Sequence, residues 1–497
     1  MSGTGAALAL DPRERAALEA TVERLRRDPR VRHAEVRFVH ERGERLKVRD
    51  GRPEEVSTSR SRGVGIRVLG ARTFGFACTP RLDEASLFAC ADRACAIAAA
   101  ASTTTSVVTA FPPRPAERGR YATPLRIDPF LVPLEDKLAV LEAPVRTLLS
   151  GPPVTSAEAW MDFSRVEKLL LTTEGTNVEQ TLTYGAAGFQ AFATSGEITQ
   201  KRSYPSWQGS EAFQGGYERI AELDLGGAAP RIREELVDLL RAPPCPSGEI
   251  DLILDAGQMA LQIHESGGHP TELDRALGAE ISLAGGSFLQ PEMLGSFRYG
   301  SELVNVAADS VTEGGLGTFG WDDEGTPAGK HPLVERGLFV DYLSDRASAA
   351  ALGRASTGTL RAESWNRMPM IRMVNVSLEP GPSGTLEELV ADTKRGLLVT
   401  TDRSWSIDDL RLDFQFALEL GWEIENGKRT RMVRDPAYSG RTPAFWSSLD
   451  ALCGPSEFRM FGVNSCGKGD PIQLMNVGHG SAPARFRKVR VGGAGSR

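Results

Sequence analysis

The pattern of apolar and polar positions predicts an N-terminal half that mixes helices with antiparallel strands. Residues 12–28 carry apolar side chains at helical spacing among charged ones, and Asp11-Pro12 supplies a cap followed by a first-turn proline. Further helices are expected at 87–101, at 134–149 and at about 230–241. Runs that alternate with a period of two predict strands at 34–39, 44–48 and 63–69 and within 154–200, and the Ser-, Thr- and Pro-rich residues 102–130 predict a loop.

A proline-rich segment divides the chain into two predicted domains. Residues 242–248 read Ala-Pro-Pro-Cys-Pro-Ser-Gly, a composition typical of linkers. We therefore predict an N-terminal domain at 1–241 for substrate or partner contacts and a C-terminal domain at 249–497. The second opens with a buried strand at 250–254, after which Asp255 can cap a helix. Short strands and glycine turns follow, so each domain is expected to have a mainly antiparallel sheet with packed helices, an α+β fold.

Composition excludes several classes of protein. The 497 residues carry a net charge of −7, whereas nucleic-acid binders need a basic footprint. The six cysteines have no paired spacing and predict reduced thiols rather than disulfides. No apolar run reaches the length of a membrane span, and the first residues lack the features of a signal peptide. We expect a cytoplasmic protein that binds neither nucleic acid nor membrane.

The helix after Asp255 ends in a pattern that suggests metal chemistry. His264-Glu265 is followed by a second histidine, His269, which gives the spacing H-E-x-x-x-H. This is one residue longer than the H-E-x-x-H of zinc proteases, and on an ideal helix the two histidines are about 140° apart. Both can reach one metal only if the helix bulges or ends between them, which Gly267-Gly268 permits. The alternative is a helix end with two half-buried histidines.

A catalytic zinc ion needs three protein ligands and an open position for water. Cys466 lies in the glycine-containing segment 462–470, where a permissive loop would let a thiolate approach a metal. A small buried thiol is the competing interpretation. The residue pattern alone leaves the third ligand open among several candidates. These are Cys466, Cys453, His479, His331 and Glu272.

Blocks along nearly the whole chain resemble the TldD/PmbA family of metallopeptidases. Besides the H-E-x-x-x-H motif, the matching blocks are 63–67, 74–76, 322–325, 364–365, 372–375, 426–428, 438–441, 462–470 and 489–493. The TldD-type subunit of this family carries the motif, and the PmbA (TldE) type lacks it. The chain therefore resembles the TldD type.

The resemblance implies a zinc ion (Zn²⁺) held by His264, His269 and Cys466. Glu265 is then the general base that takes a proton from water and passes it to the leaving amine. The family also implies hydrolysis of unfolded or extended peptides, including leader peptides and small unstable proteins. It implies a dimer as well, either a homodimer or a heterodimer with a PmbA/TldE-type subunit.

Other polar residues have plainer interpretations. For Asp322-Asp323-Glu324, we favour a solvated turn over a cation site. For His479, we favour an ordinary loop histidine over a residue that stabilises the oxyanion of the transition state. Glu272 either hydrogen-bonds a zinc ligand or lies at the surface.

Two other functions compete with catalysis. One is a regulatory binding protein of the gyrase-modulator type, acting through protein–protein contacts. The other is a subunit that binds metal without activity. The intact motif favours an enzyme, because an adaptor has no need of a base beside two ligands.

Overall fold

The computed structural model describes residues 8–206, 210–280 and 285–493, and it confirms the α+β fold. The first seven residues lie outside the described residues. They belong to the N-terminal segment in which the sequence shows no signal peptide features. The helices are α1 Pro12–Arg27, α2 Glu84–Ala101, α3 Leu134–Leu148, α4 Glu218–Leu223, α5 Leu225–Leu239, α6 Ala256–Ile263, α7 Leu273–Ala276, α8 Arg346–Ala351, α9 Leu386–Ala391 and α10 Thr442–Ser447. The strands are β1 His33–Arg49, β2 Arg52–Leu69, β3 Phe74–Thr79, β4 Arg118–Ala122, β5 Val154–Thr172, β6 Asn177–Ser195, β7 Ile198–Tyr204, β8 Glu211–Gln214, β9 Gly248–Leu254, β10 Val306–Asp309, β11 Lys330–Glu335, β12 Leu338–Phe339, β13 Leu360–Arg361, β14 Met370–Ile371, β15 Asn375–Leu378, β16 Arg395–Ile407, β17 Asp413–Glu425, β18 Lys428–Arg434, β19 Pro436–Arg441, β20 Leu449–Leu452, β21 Arg459–Lys468, β22 Gln473–Ser481 and β23 Ala484–Gly493.

The N-terminal strands form one long sheet in the order β3-β2-β1-β5-β6-β4, with β7 and β8 also paired to β6. The predicted strands at 34–39 and 44–48 are two parts of the single strand β1. Val36 and Phe38, in its first half, pack with α1 and α2, while Leu46 and Val48 pack with α3 and α5. One sheet thus contributes to two cores, because its long strands present apolar side chains at both ends.

Two boundaries in this half differ from the predictions. The predicted loop 102–130 contains β4, which pairs in parallel with β6 at the edge of the sheet. The helix predicted from about 230 begins at Leu225, because the Asp224 side chain accepts a hydrogen bond from Gly227 N at 3.1 Å and caps it there.

The C-terminal strands form a seven-stranded sheet around β9 and a six-stranded sheet that ends in β22 and β21. The second half of β9, residues 252–254, is buried as predicted, and the strand lies between β16 and β23. Asp255 caps α6 by accepting a hydrogen bond from Gln258 N at 2.8 Å. Because α6 packs against both β16 and β22, its C-terminal end is fixed between the two sheets. The boundary at 242–248 stays a prediction.

The acidic turn 322–324 is buried, so the prediction of a solvated turn is wrong. Asp323 faces Lys168 at 3.2 Å, and Glu324 pairs with Arg67; both cations lie in the N-terminal sheet. Asp322 accepts hydrogen bonds from the backbone of the turn. Burial raises the pKa of Asp322 to about 7 and that of Glu324 to about 8. Within the described residues these acids form no candidate metal group, and no helix there is both long and apolar enough to cross a membrane.

Candidate metal centre

A wide helical turn brings the two histidines of the motif together. After α6 the chain continues as a π-helical turn over His264–Gly268, in which the N–H of His269 bonds to the carbonyl of His264, five residues earlier. The imidazole centroids are 4.8 Å apart. A Cβ on Gly268 would lie 2.0 Å from Met373 Sδ, so a larger residue at this position would displace the buried Met373 side chain. The expectation that the helix must bulge or end between the histidines is confirmed.

Cys466, on β21, lies close to both histidines. One ligand atom each from His264, His269 and Cys466 lies within 4.8 Å of the others, and Cys466 Sγ is 3.7 Å from His269 Nε2. A tetrahedral zinc ion with bonds of about 2.0–2.3 Å separates its ligand atoms by about 3.5 Å. Side-chain shifts of about 1 Å therefore bring the three atoms to zinc-binding distances.

A β-bulge positions the cysteine. On β21, Asn464 and Ser465 together oppose Asn476 of β22, because the register shifts between Val463 and Cys466. Asn464 and Ser465 are exposed, while the Cys466 thiol is buried against the histidines. The prediction that this cysteine lies in a loop is wrong, since it occupies a strand whose bulge directs the thiol inward.

His479 contacts His264 directly and is fully buried on β22, so the prediction of an ordinary loop histidine is wrong. Its Nδ1 lies 2.9 Å from the Val376 carbonyl, which can only accept, and therefore carries the proton. Its Nε2, 2.8 Å from His264 Nδ1, must then be the acceptor. This chain of bonds leaves the lone pair on Nε2 of His264, the tautomer that binds a metal through that atom.

Glu272 orients the second histidine. Its Oε2 is 3.0 Å from His269 Nδ1 and accepts a 2.6 Å hydrogen bond from Arg275 Nε. Burial favours the neutral acid, but Lys468 and then Arg275 outweigh it and hold the pKa of Glu272 well below its usual range. The carboxylate is therefore ionised and directs Nε2 of His269 toward Cys466. Glu272 has no exposed surface, which rules out the surface alternative.

The thiol of Cys466 lies in an electropositive environment. Burial by itself would raise its pKa, but His269 and Arg372 outweigh burial and lower it. Arg372 is completely buried and donates to the carbonyls of Cys466 and Gln473. The centre thus favours a thiolate, the form of cysteine that binds metals. Metal binding releases the remaining ligand protons, and two neutral imidazoles with one thiolate then make a donor set that suits zinc.

Glu265 lies in the π-helical turn between the histidines and is 5% exposed. Its Oε2 accepts a 2.9 Å hydrogen bond from Arg411 Nη1. The turn itself is anchored through Ser266, whose hydroxyl accepts a bond from Trp446 Nε1 at 2.9 Å and whose carbonyl accepts one from Tyr299. The sequence pattern did not indicate Arg411 as part of the site.

Comparison with known proteins identifies the family. The sequence model of the family described as PmbA/TldA metallopeptidase C-terminal domain matches residues 247–493. The family model described as PmbA/TldA metallopeptidase domain 1 matches residues 34–98. Together they cover more than half of the chain. The chain belongs to the PmbA/TldD metallopeptidase family. All three clustered ligand candidates lie within the part matched by the C-terminal model.

Relatives in this family carry the name metalloprotease. One from Methanocaldococcus jannaschii is 28% identical over 91% of this chain and 95% of its own length. A metalloprotease TldD homolog of Haemophilus influenzae is 26% identical over 93% of each chain. A zinc metalloprotease TldD homolog of Saccharolobus solfataricus is 25% identical over 54% of this chain and 57% of its own.

Solved structures share the fold at low identity. A crystal structure from Thermotoga maritima, described as a candidate modulator of a DNA gyrase, has a TM-score of 0.74 at 16% identity and covers 96% of this chain and 99% of its own. TldE from Thermococcus kodakarensis has a TM-score of 0.70 at 16% identity, covering 96% and 100%. The fold is therefore common to TldE and to this chain and does not separate the two subunit types.

Proposed function

We propose that the protein is a zinc-dependent peptidase of the TldD type that hydrolyses unfolded or extended peptides. The observation that carries the proposal is the convergence of His264, His269 and Cys466, with the Nδ1 atoms of both imidazoles already hydrogen-bonded. A resident metal site requires such preorganisation, because the outer partners fix the tautomer and the ring orientation of each ligand.

The roles of the side chains follow from their positions. A bound zinc ion supplies a water of lowered pKa and polarises the scissile carbonyl. Glu265, in the turn between the two histidines, accepts the proton of the attacking water and passes it to the leaving amine nitrogen. The burial of the ligands excludes bulk water, which strengthens each electrostatic interaction in the centre.

An extended substrate suits the limited access to the centre. The three ligands and Glu265 are each no more than 5% exposed, so a folded protein surface cannot reach them without rearrangement. A cavity of about 420 Å³ lies next to the bulge of β21 and is lined by residues of both halves of the chain, among them Asn464, Ser465 and Tyr184. We infer that a peptide segment enters as a single strand. A dimer, with itself or with a PmbA/TldE-type subunit, is part of the proposal.

The experiment compares Glu265→Gln with wild type in a cleavage assay on an unstructured peptide, with and without a PmbA/TldE-type partner. Loss of the general base should lower kcat by about 10²–10⁴-fold while zinc content stays unchanged. The matched control is Glu249→Gln, which alters an exposed carboxylate at the start of β9. Full activity of Glu265→Gln would contradict the assignment. An inactive, metal-free wild type in both assays would favour the regulatory binding protein.

A further inference from the structure

Arg411 is a buried cation whose guanidinium contacts the carboxylate of Glu265, 146 residues away in sequence. The Nη1–Oε2 distance is 2.9 Å, and the two side chains are 9% and 6% exposed. A buried ion pair is weak evidence for stability, because desolvation offsets most of the attraction. The contact therefore needs another explanation, and Glu265 is the candidate base.

The backbone of Arg411 is strained. Its φ is +64°, in the left-handed region that β-carbon sterics make unfavourable for arginine. Strain of this kind persists only where the surroundings enforce it, and such positions cluster at functional sites. Here the strained residue is also the one that contacts Glu265.

One internal hydrogen bond and two from other segments hold the turn 408–412, which joins β16 to β17. The N–H of Arg411 donates to the Asp408 carbonyl at 2.9 Å, and the Arg411 carbonyl accepts from Thr442 Oγ1 at 2.9 Å. The preceding carbonyl, of Leu410, accepts from Phe288 N at 2.9 Å. The guanidinium therefore extends toward Glu265 from a rigid base rather than from a mobile loop.

We propose that Arg411 is a positioning residue that keeps the Glu265 carboxylate in the orientation of a general base. It does so by binding Oε2; within the described part of the chain no other hydrogen bond reaches this carboxylate. Without this hydrogen bond the Glu265 carboxylate would be free to rotate away from the orientation that a general base needs. The inference rests on the proposed function, since it presupposes that Glu265 is the base.

The test uses Arg411→Gly, because glycine adopts the observed φ without strain. The matched control is Arg336→Gly: Arg336 also has a positive φ, of +47°, but it is exposed and pairs with Glu302. We expect Arg411→Gly to keep its zinc and its KM and to lose about 100-fold in kcat, the cost of a misplaced group. Added guanidinium ion should restore part of the rate, urea should not, and Arg336→Gly should match wild type.

A second readout does not depend on activity. In the zinc-free protein, the changes in Tm caused by Arg411→Gly and Glu265→Gln should be non-additive, because each variant breaks the same ion pair. If Arg411→Gly does not fold, Arg411→Lys replaces it; lysine keeps the charge but loses the planar donor geometry, so kcat should still fall.

Each contrary result overturns one specific claim. If Arg411→Gly raises KM and leaves kcat unchanged, Arg411 contacts the substrate. If the variant loses zinc and guanidinium ion does not rescue it, the role of Arg411 is structural. Either result overturns the positioning role. Additive changes in Tm together with wild-type kcat would overturn it as well. An active wild type with a fully active Arg411→Gly refutes only the role of Arg411, whereas an inactive zinc-loaded wild type refutes the proposed function.

Discussion

Removing the acceptor of His264 should weaken zinc binding without unfolding the protein. In His479→Leu the Nδ1–H of His264 loses its 2.8 Å partner at a fully buried position. In the metal-free protein the His264 ring can change tautomer or rotate, but a metal on Nε2 forces the Nδ1 proton toward the vacated site. The penalty therefore falls mainly on the metal-bound state.

The expected magnitude follows from that unpaired donor. A buried N–H without an acceptor costs about 1–3 kcal/mol, and each 1.4 kcal/mol is about tenfold in affinity. Loss of a ligand's outer partner typically weakens metal binding by about 10–100-fold. We therefore expect the zinc Kd of His479→Leu to rise by about 10–100-fold, measured by competition with a chromophoric chelator.

Two further variants make the reasoning refutable. In His479→Gln the side-chain amide oxygen can still accept from His264, so zinc affinity should recover in part. His331→Leu removes a half-buried histidine on β11, outside the cluster, and should leave the zinc Kd unchanged. If His479→Leu binds zinc as tightly as wild type, the hydrogen bond does not orient His264 and the argument fails.

Two predictions concern stability, both measured by thermal unfolding. Gly268→Ala places a Cβ against Met373 Sδ and should destabilise the protein by about 1–3 kcal/mol. The control Gly226→Ala, in open space on α5, should be neutral or slightly stabilising. Equal Tm values for the two variants would contradict the packing argument. Burial raises the pKa of Asp402 to about 8, so the folded state binds the carboxyl proton of Asp402 more tightly than the unfolded state does. The folded state therefore loses stability as the pH rises from about 4, the unfolded pKa, to about 8. The Tm advantage of Asp402→Asn over wild type should grow across that range and level off above it; a constant difference would refute the shift.

The sequence predicted the parts of the fold that local patterns specify. The amphipathic helices α1 and α3, and the need for a bulge between His264 and His269, follow from periodicity and from the position of glycine. The burial of the acidic turn 322–324 did not follow, because its cationic partners Lys168 and Arg67 come from the distant N-terminal sheet. The parallel strand β4 was missed because an edge strand of five residues carries little periodicity.

The surroundings of the candidate centre were the least predictable part. Cys466 entered the ligand set through the family resemblance, since residue pattern alone left it level with other candidates. His479 and Arg411 contact the motif across 215 and 146 residues. Each joins the site through sheet pairing or a loop packed from another element, and no short-range spacing records such a contact. Hydrogen-bond partners of this kind emerge only from the tertiary structure.

The most direct test of the central claim is zinc content by elemental analysis, on wild type and on Cys466→Ala, combined with cleavage of an unstructured peptide. Cys453→Ala is the matched control, because Cys453 is also buried but lies outside the ligand cluster. We predict about one zinc ion per chain in wild type and in Cys453→Ala, and loss of both zinc and cleavage in Cys466→Ala. Zinc retained at full occupancy in Cys466→Ala would contradict a centre built from His264, His269 and Cys466.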